Sequence, residues 1–507
     1  MATLNNFCEN SMTRDKLEAL LKKGADLIRT KVDYKYLLLL LFLKRVSDKW
    51  NYTRDKLYRE FIEEGFDRKT AAELAEDPDN HDFYLPHECR WEYVRENVNE
   101  IPERLSKAFK RLADENPQLK GVIDRFEFME FTINRENLNL LSQLVELFST
   151  YDLSRVSPDV LGDAYEWVIR YFAPQKAKEG EVYTPREVVK LLIEMLDPKP
   201  GEDVYDPACG SGGMLITSYK HVEERYGRAE AKKLFLYGQE NNPTTYALAE
   251  MNMILHGILD TKLEVGDTLE RPRFKEGGYI KRFDVVVANP PWNQDGYGEE
   301  RLKKAEFSHE RFPFGYPPNN SADWAWIQHM LASCKETGKV GIVIDNGALF
   351  RGGREKKIRK RVLEKDLLEC VILLPEKLFY NTGAPGAIMI FSKNKEERRR
   401  GKVLFINASG EYDKHPEVRK LNILADENIE RIASTYRDFR EEKGFSRIVD
   451  LKEIKDNDYN LNVTLYVFPE EEIEEIDVEM EWRELKEIEK EIDEIEKRIE
   501  GYIDELT

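Results

Sequence analysis

Cysteine is scarce in this chain. The five present, Cys8, Cys89, Cys209, Cys334 and Cys370, form no CxxC pair and no even framework. That excludes a disulfide scaffold and a structural zinc site, and no metal site is expected. Long apolar runs are also missing. The longest, Tyr36 to Leu43, has eight residues, well short of the roughly 20 needed to span a bilayer. The opening stretch MATLNNFCENSMTRDK lacks the basic-then-apolar pattern of a secretory signal. These absences lead to the expectation of a cytoplasmic protein with no membrane role. An excess of positive charge is absent as well. The net charge of −19 argues against a chain that grips nucleic acid with its whole surface.

What remains is a globular composition of 507 residues, 41% hydrophobic and 35% charged. At about 100–200 residues per domain this is room for two to four domains. The acidity is unevenly placed. Residues 469–507 hold 18 acidic and 5 basic side chains, so −13 of the net charge lies in this tail and −6 in the other 468 residues.

Residues 1–150 read as helical, because KLEALLKKGADLIRT, VDYKYLLLLLFLKRVSDKW and NLNLLSQLVELF repeat at helical spacing. From Gly180 to about 410 short β-rich runs (EDVYD, LFLYGQE, FDVVVANP, KVGIVID, LECVILLP) alternate with helical ones. That alternation predicts a mostly parallel sheet covered on both faces. GAIMIFSK and GKVLFIN follow without a long helix between them, which predicts antiparallel strands at the end of the sheet. After about 410 the chain reads as helical and charged. The division expected is 1–150 helical, 151–410 α/β, 411–468 connecting and 469–507 an acidic helix.

The chemistry concentrates at strand ends. DPACGSGGML (Asp206–Leu215) follows the strand-like EDVYD. Glycines there allow a sharp turn and close backbone approach, and a helix N-terminus favours polar or anionic groups. The spacing departs from a dinucleotide GxGxxG, since Leu215 stands in the third glycine place. Glu240, one strand later, is placed to accept ribose hydroxyls or, more simply, to start the next helix at its positive end. Asp267 in Gly266-Asp267-Thr268 offers an acceptor for an exocyclic amine, or stabilises a turn. Asn289-Pro290-Pro291-Trp292 follows the apolar run Phe283–Ala288, at the carboxyl edge where open parallel sheets bind ligands. Pro290 and Pro291 fix the backbone and remove two N–H donors, leaving carbonyls and the Asn289 oxygen as acceptors. Trp292 adds a flat face, so the site suits a planar ring bearing an NH₂ group. An ordinary turn before a buried Trp is the bland alternative.

DPACGSGG, YGQE, GDTL and NPPW in this order resemble the S-adenosylmethionine-dependent amino-methyltransferases. More narrowly, the chain resembles the modification subunits of type I restriction–modification systems, which are N6-adenine DNA methyltransferases. ADLIRTKVDYKYLLLLLFLKRVSD, GEVYTPR and LPEKLFYNTGAPGAIMIFSK support the narrower match. The resemblance implies a Rossmann-like doubly wound sheet preceded by a helical domain. It assigns Glu181, Val182, Tyr183, Thr184, Pro185 and Arg186, with Ser211, Gly212, Gly213 and Glu240, to S-adenosylmethionine. Asp206, Gly210 and Asp267 would line the same cleft. It implies that Asn289 and the Pro290 carbonyl accept the N6 hydrogens of a flipped adenine under Trp292, so that the nitrogen lone pair faces the sulfonium methyl. Trp departs from the commoner Phe or Tyr. Phe379 or Tyr380 is the candidate second stacking face, with a core role the alternative.

Only about 115 residues follow the late motif, and they are acidic. RGGREKKIRKR (351–361) and KEERRRGK (395–402) could track phosphates, or be solvated helix faces. Sequence choice is therefore expected to rest with another subunit. Leu485, Ile488, Ile492, Ile495, Ile499, Tyr502 and Leu506 follow 3,4 spacing, a coiled-coil seam. In the resembled family this end packs on the specificity subunit, alongside a second modification subunit and a restriction subunit. Rival readings are methylation of cytosine N4 or of a protein glutamine, a non-catalytic scaffold of a DNA-reading complex, and a dinucleotide oxidoreductase.

Overall fold

A computed structural model describes residues 12–468 except 30, 179–182, 381 and 417, together with nine positions of a helix between 482 and 499. The chain forms two units, residues 1–467 and 468–507. Among the described residues no helix is long and apolar enough to cross a membrane.

In the first unit, α1 (Arg14–Ile28) begins at Thr13, whose hydroxyl accepts the Lys16 N–H. α2 (Lys35–Glu63) carries the leucine run, and every side chain from Tyr36 to Leu43 is buried. A helix apolar on all sides must sit centrally. α3 (Ile101–Glu115), α4 (Arg135–Ser149) and α5 (Pro158–Lys178) share its core. Lys44 and Asp48, one turn apart on α2, form a buried ion pair, and Asp48 also accepts the Leu153 N–H at 2.7 Å.

Nine strands build the main sheet: β1 (Asp203–Asp206), β2 (Phe235–Glu240), β3 (Thr261–Val265), β4 (Phe283–Ala288), β5 (Cys334–Asp345), β6 (Leu368–Leu373), β7 (Gly386–Ser392), β8 (Lys402–Asn407) and β9 (Ser446–Asp450). Their order is β3-β2-β1-β4-β5-β7-β6-β8-β9. The pairs β1–β2, β2–β3, β1–β4, β4–β5 and β6–β8 are parallel. Chain order reverses between β1 and β4, the switch point at which such sheets open a ligand crevice at their carboxyl ends. One face is covered by α6 (Arg186–Leu196), α7 (Gly213–Tyr226), α8 (Pro243–Leu255) and α9 (Asp426–Asp438). Helices Asp323–Ala332 and Gly353–Glu364 cover the other.

Two expectations are corrected. β7 is antiparallel, but it lies between β5 and β6 rather than at the end of the sheet, and β8 runs parallel to β6. All seven residues of β7 are buried, so this strand needs a neighbour on each side. The region after 410 is more than helical and charged. It supplies β9, which pairs antiparallel with β8 and closes the edge, and buries Ile454, Leu461 and Val463 in the core.

The Lys44–Asp48 pair makes a test of the helical core. Asp48→Ala is expected to lower the unfolding free energy by about 3–5 kcal/mol, the usual cost of leaving a buried charge alone. The measurement is the urea midpoint at an unchanged m-value. A loss below about 1 kcal/mol, the scale of an ordinary substitution, would mean that Lys44 reaches water or another acceptor.

Candidate active site

The site begins where β1 ends. Asp206 leads into the loop 207–212, and α7 starts at Gly213. Gly210 (φ +52°) and Gly212 (φ +84°) are left-handed, a conformation that favours glycine. At Gly212 space is short as well, because a Cβ would stand 2.8 Å from Met253 Cε on α8. The loop is pinned on two sides. Cys209 N–H donates to the Gln239 carbonyl at 3.0 Å, and the buried Asn252 amide donates to the Ser211 carbonyl at 2.9 Å. Glu240, ending β2, accepts the Gly210 N–H at 3.0 Å through Oε2 and the Asn242 N–H at 2.7 Å through Oε1. Asp206 accepts the Ala208 N–H at 3.0 Å and is 2% exposed. Burial, with added repulsion from Glu240, pushes its carboxyl up to about 8.

Asn289 follows β4, directly across the switch point from Asp206. Its Nδ2 donates to Thr184 Oγ1 at 2.7 Å, and its Oδ1 accepts the Trp292 indole N–H at 2.9 Å. The Trp292 ring meets Phe379 edge-on, with centroids 4.7 Å apart. Gly386, opening β7, leaves room for both; a Cβ there would lie 2.9 Å from Trp292 and 2.8 Å from Phe379. Asn293, left-handed at φ +52°, fixes the end of the tetrapeptide. Its N–H donates to Asp323 at 2.9 Å, and its Oδ1 accepts Arg351 Nη1 at 2.7 Å. Arg351 in turn pairs with Asp323, Asp345 and Glu355.

Between these elements lies a cavity, walled among others by Glu166, Tyr183, Thr184, Arg186, Asp206, Gly210, Ser211, Gly213 and Asn289. Gly212, Glu240, Asp267, Pro290, Pro291 and Trp292 are not among its wall residues. Asp267 is engaged elsewhere, accepting from Tyr297 Oη at 2.7 Å and from Arg301 at 3.2 Å. Pro185 precedes α6, and Glu181 and Val182 lie outside the described residues. Arg186 pairs with Asp163 at 2.9 Å and with Glu166. Both acids lie on α5, and no motif in the sequence pointed to them. Phe379 is 1% exposed in the core, whereas Tyr380 packs against Tyr183 with centroids 5.9 Å apart. The two basic runs are partly internal. Arg359 donates to the Tyr459, Ala348 and Arg351 carbonyls, Lys395 pairs with Asp366, and Arg399 binds the Tyr436 and Arg437 carbonyls. Among the described residues no group of three or more His, Cys, Asp or Glu is arranged to hold a metal ion.

The sequence matches the N-6 DNA Methylase family over residues 156–475 and the HsdM N-terminal domain over residues 17–148. The chain belongs to the N-6 DNA methylase family. It is 48% identical to the type I restriction enzyme MjaVII methylase subunit of Methanocaldococcus jannaschii, across 97% of this chain and 84% of that protein. With the MjaVIII methylase subunit of the same organism it shares 47% identity, across 98% and 85%. The crystal structure of a type I restriction-modification methyltransferase subunit from Streptococcus thermophilus superposes with a TM-score of 0.77, at 30% identity, covering 90% of this chain and all of that one. Family membership makes this protein an adenine-specific DNA methyltransferase of the type I kind. It sets aside the dinucleotide enzyme and the other planar amines. Methyltransferases of this family imply the use of S-adenosylmethionine.

The buried Asp206 carboxyl gives the methylase a pH signature. Its folded pKa, about 8, lies above the ordinary 3.8. The folded state therefore holds a proton that the unfolded chain releases above about pH 4. The stabilisation is complete below that pH and is lost as pH rises through 8, with a slope of at most about 1.4 kcal/mol per pH unit. Asp206→Asn removes this slope. Urea unfolding between pH 5 and 9 should show a shallower fall for the variant, and parallel curves would place the Asp206 pKa near its ordinary value.

Proposed function

We propose that the methylase acts on an adenine turned out of the DNA helix, with Asn289 Oδ1 and the Pro290 carbonyl accepting its two N6 hydrogens. The observation that carries this reading is the position of the Asn289 carboxamide. It closes one wall of a cavity whose other walls are the glycine loop and the Tyr183–Arg186 segment. Those walls fit a nucleoside-bearing cofactor. The glycines let a ligand approach the backbone, and Glu240, outside the cavity wall at the tip of β2, would accept ribose hydroxyls. Tyr183 to Arg186, Asp206, Gly210 to Gly213 and Glu240 would hold S-adenosylmethionine, which supplies the methyl group when bound. Asp267 would act one layer out, through Tyr297 and Arg301.

Adenine's amine is a poor nucleophile, because its lone pair is delocalised into the ring. Acceptors on both hydrogens favour a tetrahedral nitrogen whose lone pair points into the cavity. Pro290 and Pro291 hold those acceptors rigid, and no strong general base is required. Orientation of this kind saves on the order of 7–11 kcal/mol in well-aligned systems. Extruding the base costs a few kcal/mol, offset by stacking on Trp292, with Tyr380 as the second aromatic face.

Sequence choice would come from a specificity subunit bound through the C-terminal helix, in a complex with a second methylase and a restriction subunit in the cytoplasm. Leu485, Ile488, Ile492, Ile495 and Ile499 are each 46–53% exposed. An exposed apolar stripe of this kind supports an interaction face on this helix. Tyr502 and Leu506, the last seam positions, lie outside the described residues.

Three experiments test this reading. Asn289→Ala should abolish methylation by the complete complex while leaving S-adenosylmethionine affinity within about twofold, since a neutral hydrogen bond to the base does not serve the cofactor. Glu240→Ala should weaken calorimetric binding of the cofactor about 10- to 100-fold, the value of charge-assisted hydrogen bonds. Wild-type turnover in the first variant, or wild-type affinity in the second, would remove the corresponding role. Deleting residues 469–507 should leave a folded, cofactor-binding protein that no longer co-purifies with the specificity subunit. Retention of the subunit at wild-type stoichiometry would return the tail to a self-packed helix.

A further inference from the structure

Asn289 is held at both ends of its carboxamide, by groups of different chemistry. We propose that Trp292 and Thr184 are positioning residues that keep the Asn289 amide in the one orientation presenting its oxygen to the target amine, and that Thr184 ties this orientation to the cofactor cavity. The inference rests on the reading of Asn289 as the acceptor for the adenine amine.

A carboxamide can turn over about its terminal torsion and exchange its oxygen for its NH₂. In the turned form two N–H groups would face each other across the target nitrogen, which is unproductive. The two clamping partners do not discriminate equally. A threonine hydroxyl donates or accepts, so Thr184 at 2.7 Å tolerates either orientation. An indole N–H only donates, so Trp292 at 2.9 Å accepts only the orientation with Oδ1 toward it. A carbonyl oxygen has two lone pairs. The indole uses one and leaves the other for an N6 hydrogen, so holding the amide does not block the base.

The indole is itself fixed. Its ring packs edge-on against Phe379 and fills the space that the absent side chain of Gly386 leaves. Behind it, Asn293 is tied to Asp323 and Arg351. A phenylalanine at 292 would keep that packing and lose the donor. Thr184 carries the other half of the device. It lies in the cavity wall between Tyr183 and Pro185, immediately before α6. Movement of that segment away from the cavity would break the Asn289 Nδ2 hydrogen bond, so the base acceptor is set when the cofactor wall is in place.

The test uses the full-length methylase with its specificity subunit, cognate duplex DNA and S-adenosylmethionine, with Asn289→Ala as reference. Trp292→Phe should lower kcat about fivefold, a neutral hydrogen bond's worth, at unchanged cofactor affinity. Thr184→Val should lower kcat similarly, Thr184→Ser should restore it, and Trp292→Phe with Thr184→Val should lose less than the product of the two. Wild-type kcat in both Trp292→Phe and Thr184→Val, with Asn289→Ala inactive, overturns the clamp and leaves the acceptor reading standing. Turnover in Asn289→Ala overturns the acceptor reading, and the clamp with it. A Thr184→Val variant with weakened cofactor affinity and unchanged kcat would assign the hydroxyl to the cofactor alone and also overturns the clamp. A readout independent of activity is the Trp292 indole N–H resonance of the full chain, identified by its loss in Trp292→Phe. It should exchange slowly with solvent and shift in Asn289→Ala; rapid exchange, or no shift, contradicts the hydrogen bond.

Discussion

Helix α8 presses on the glycine loop, and much of the structure depends on that contact. Met253 and Ala249 on one side of α8 pack over Gly212, where a Cβ would stand 2.8 Å from Met253 Cε, while Asn252 holds the Ser211 carbonyl. The same helix turns Ala247, Leu248, Met251 and Leu255 into the core of the N-terminal bundle. Tyr165 of α5 donates to the Leu248 carbonyl at 2.9 Å, and a Cβ at Gly162 would fall within 2.2 Å of the His256 ring just past α8. One helix thus sets the turn that shapes the cavity and seats the bundle that supplies Glu166 to its wall. A packed interior transmits such placement because it has little free volume to absorb it. The helical domain is therefore a structural partner of the site.

The second constraint is electrostatic. The tetrapeptide at 289–292 is followed by a left-handed Asn293, and the groups that hold it belong to a cluster of three carboxylates around one guanidinium. Asp323 and Glu355 are almost fully buried. A buried carboxylate is costly unless paired and hydrogen-bonded. Arg351 meets that requirement with a rigid fork of donors, which a lysine lacks. Its remaining reach goes to Asn293 Oδ1. The loop at 289–293 is thereby anchored to the far face of the sheet, while Thr184 and the glycine loop belong to the near face.

What was legible in the sequence was whatever is encoded locally. The run Phe283–Ala288, the glycines at 210–213 and the prolines at 290–291 each state a backbone conformation within a few residues, and both the strands and the switch-point loop followed from them. The insertion of β7 between β5 and β6 was not legible, since nothing within GAIMIFSK says which strands flank it. β9 was missed because SRIVD is short and mixes polar with apolar residues. The basic run at 351–361 was read from its charge alone. Charge does not name its partner, and the partners of Arg351 include Asp323, 28 positions away. Arg359 is buried on backbone carbonyls. Glu166 was invisible for a related reason: a single acid on an amphipathic helix carries no spacing signal until the fold brings it to Arg186.

These internal uses of cations bear on how an acidic chain handles DNA. In the two basic runs Arg351, Arg359, Lys395 and Arg399 serve carboxylates and carbonyls of the fold. Arg354 and Lys356 pair with Glu299 and Asp458. A phosphate track needs cations whose counter-ions are mobile and can be released, and a cation already paired within the fold gains less from a phosphate. The tail deepens the contrast, since it concentrates −13 of the net charge beside an exposed apolar seam. Placed next to DNA, that charge would repel it. Placed against basic helices of another chain, it would be neutralised while the seam is buried.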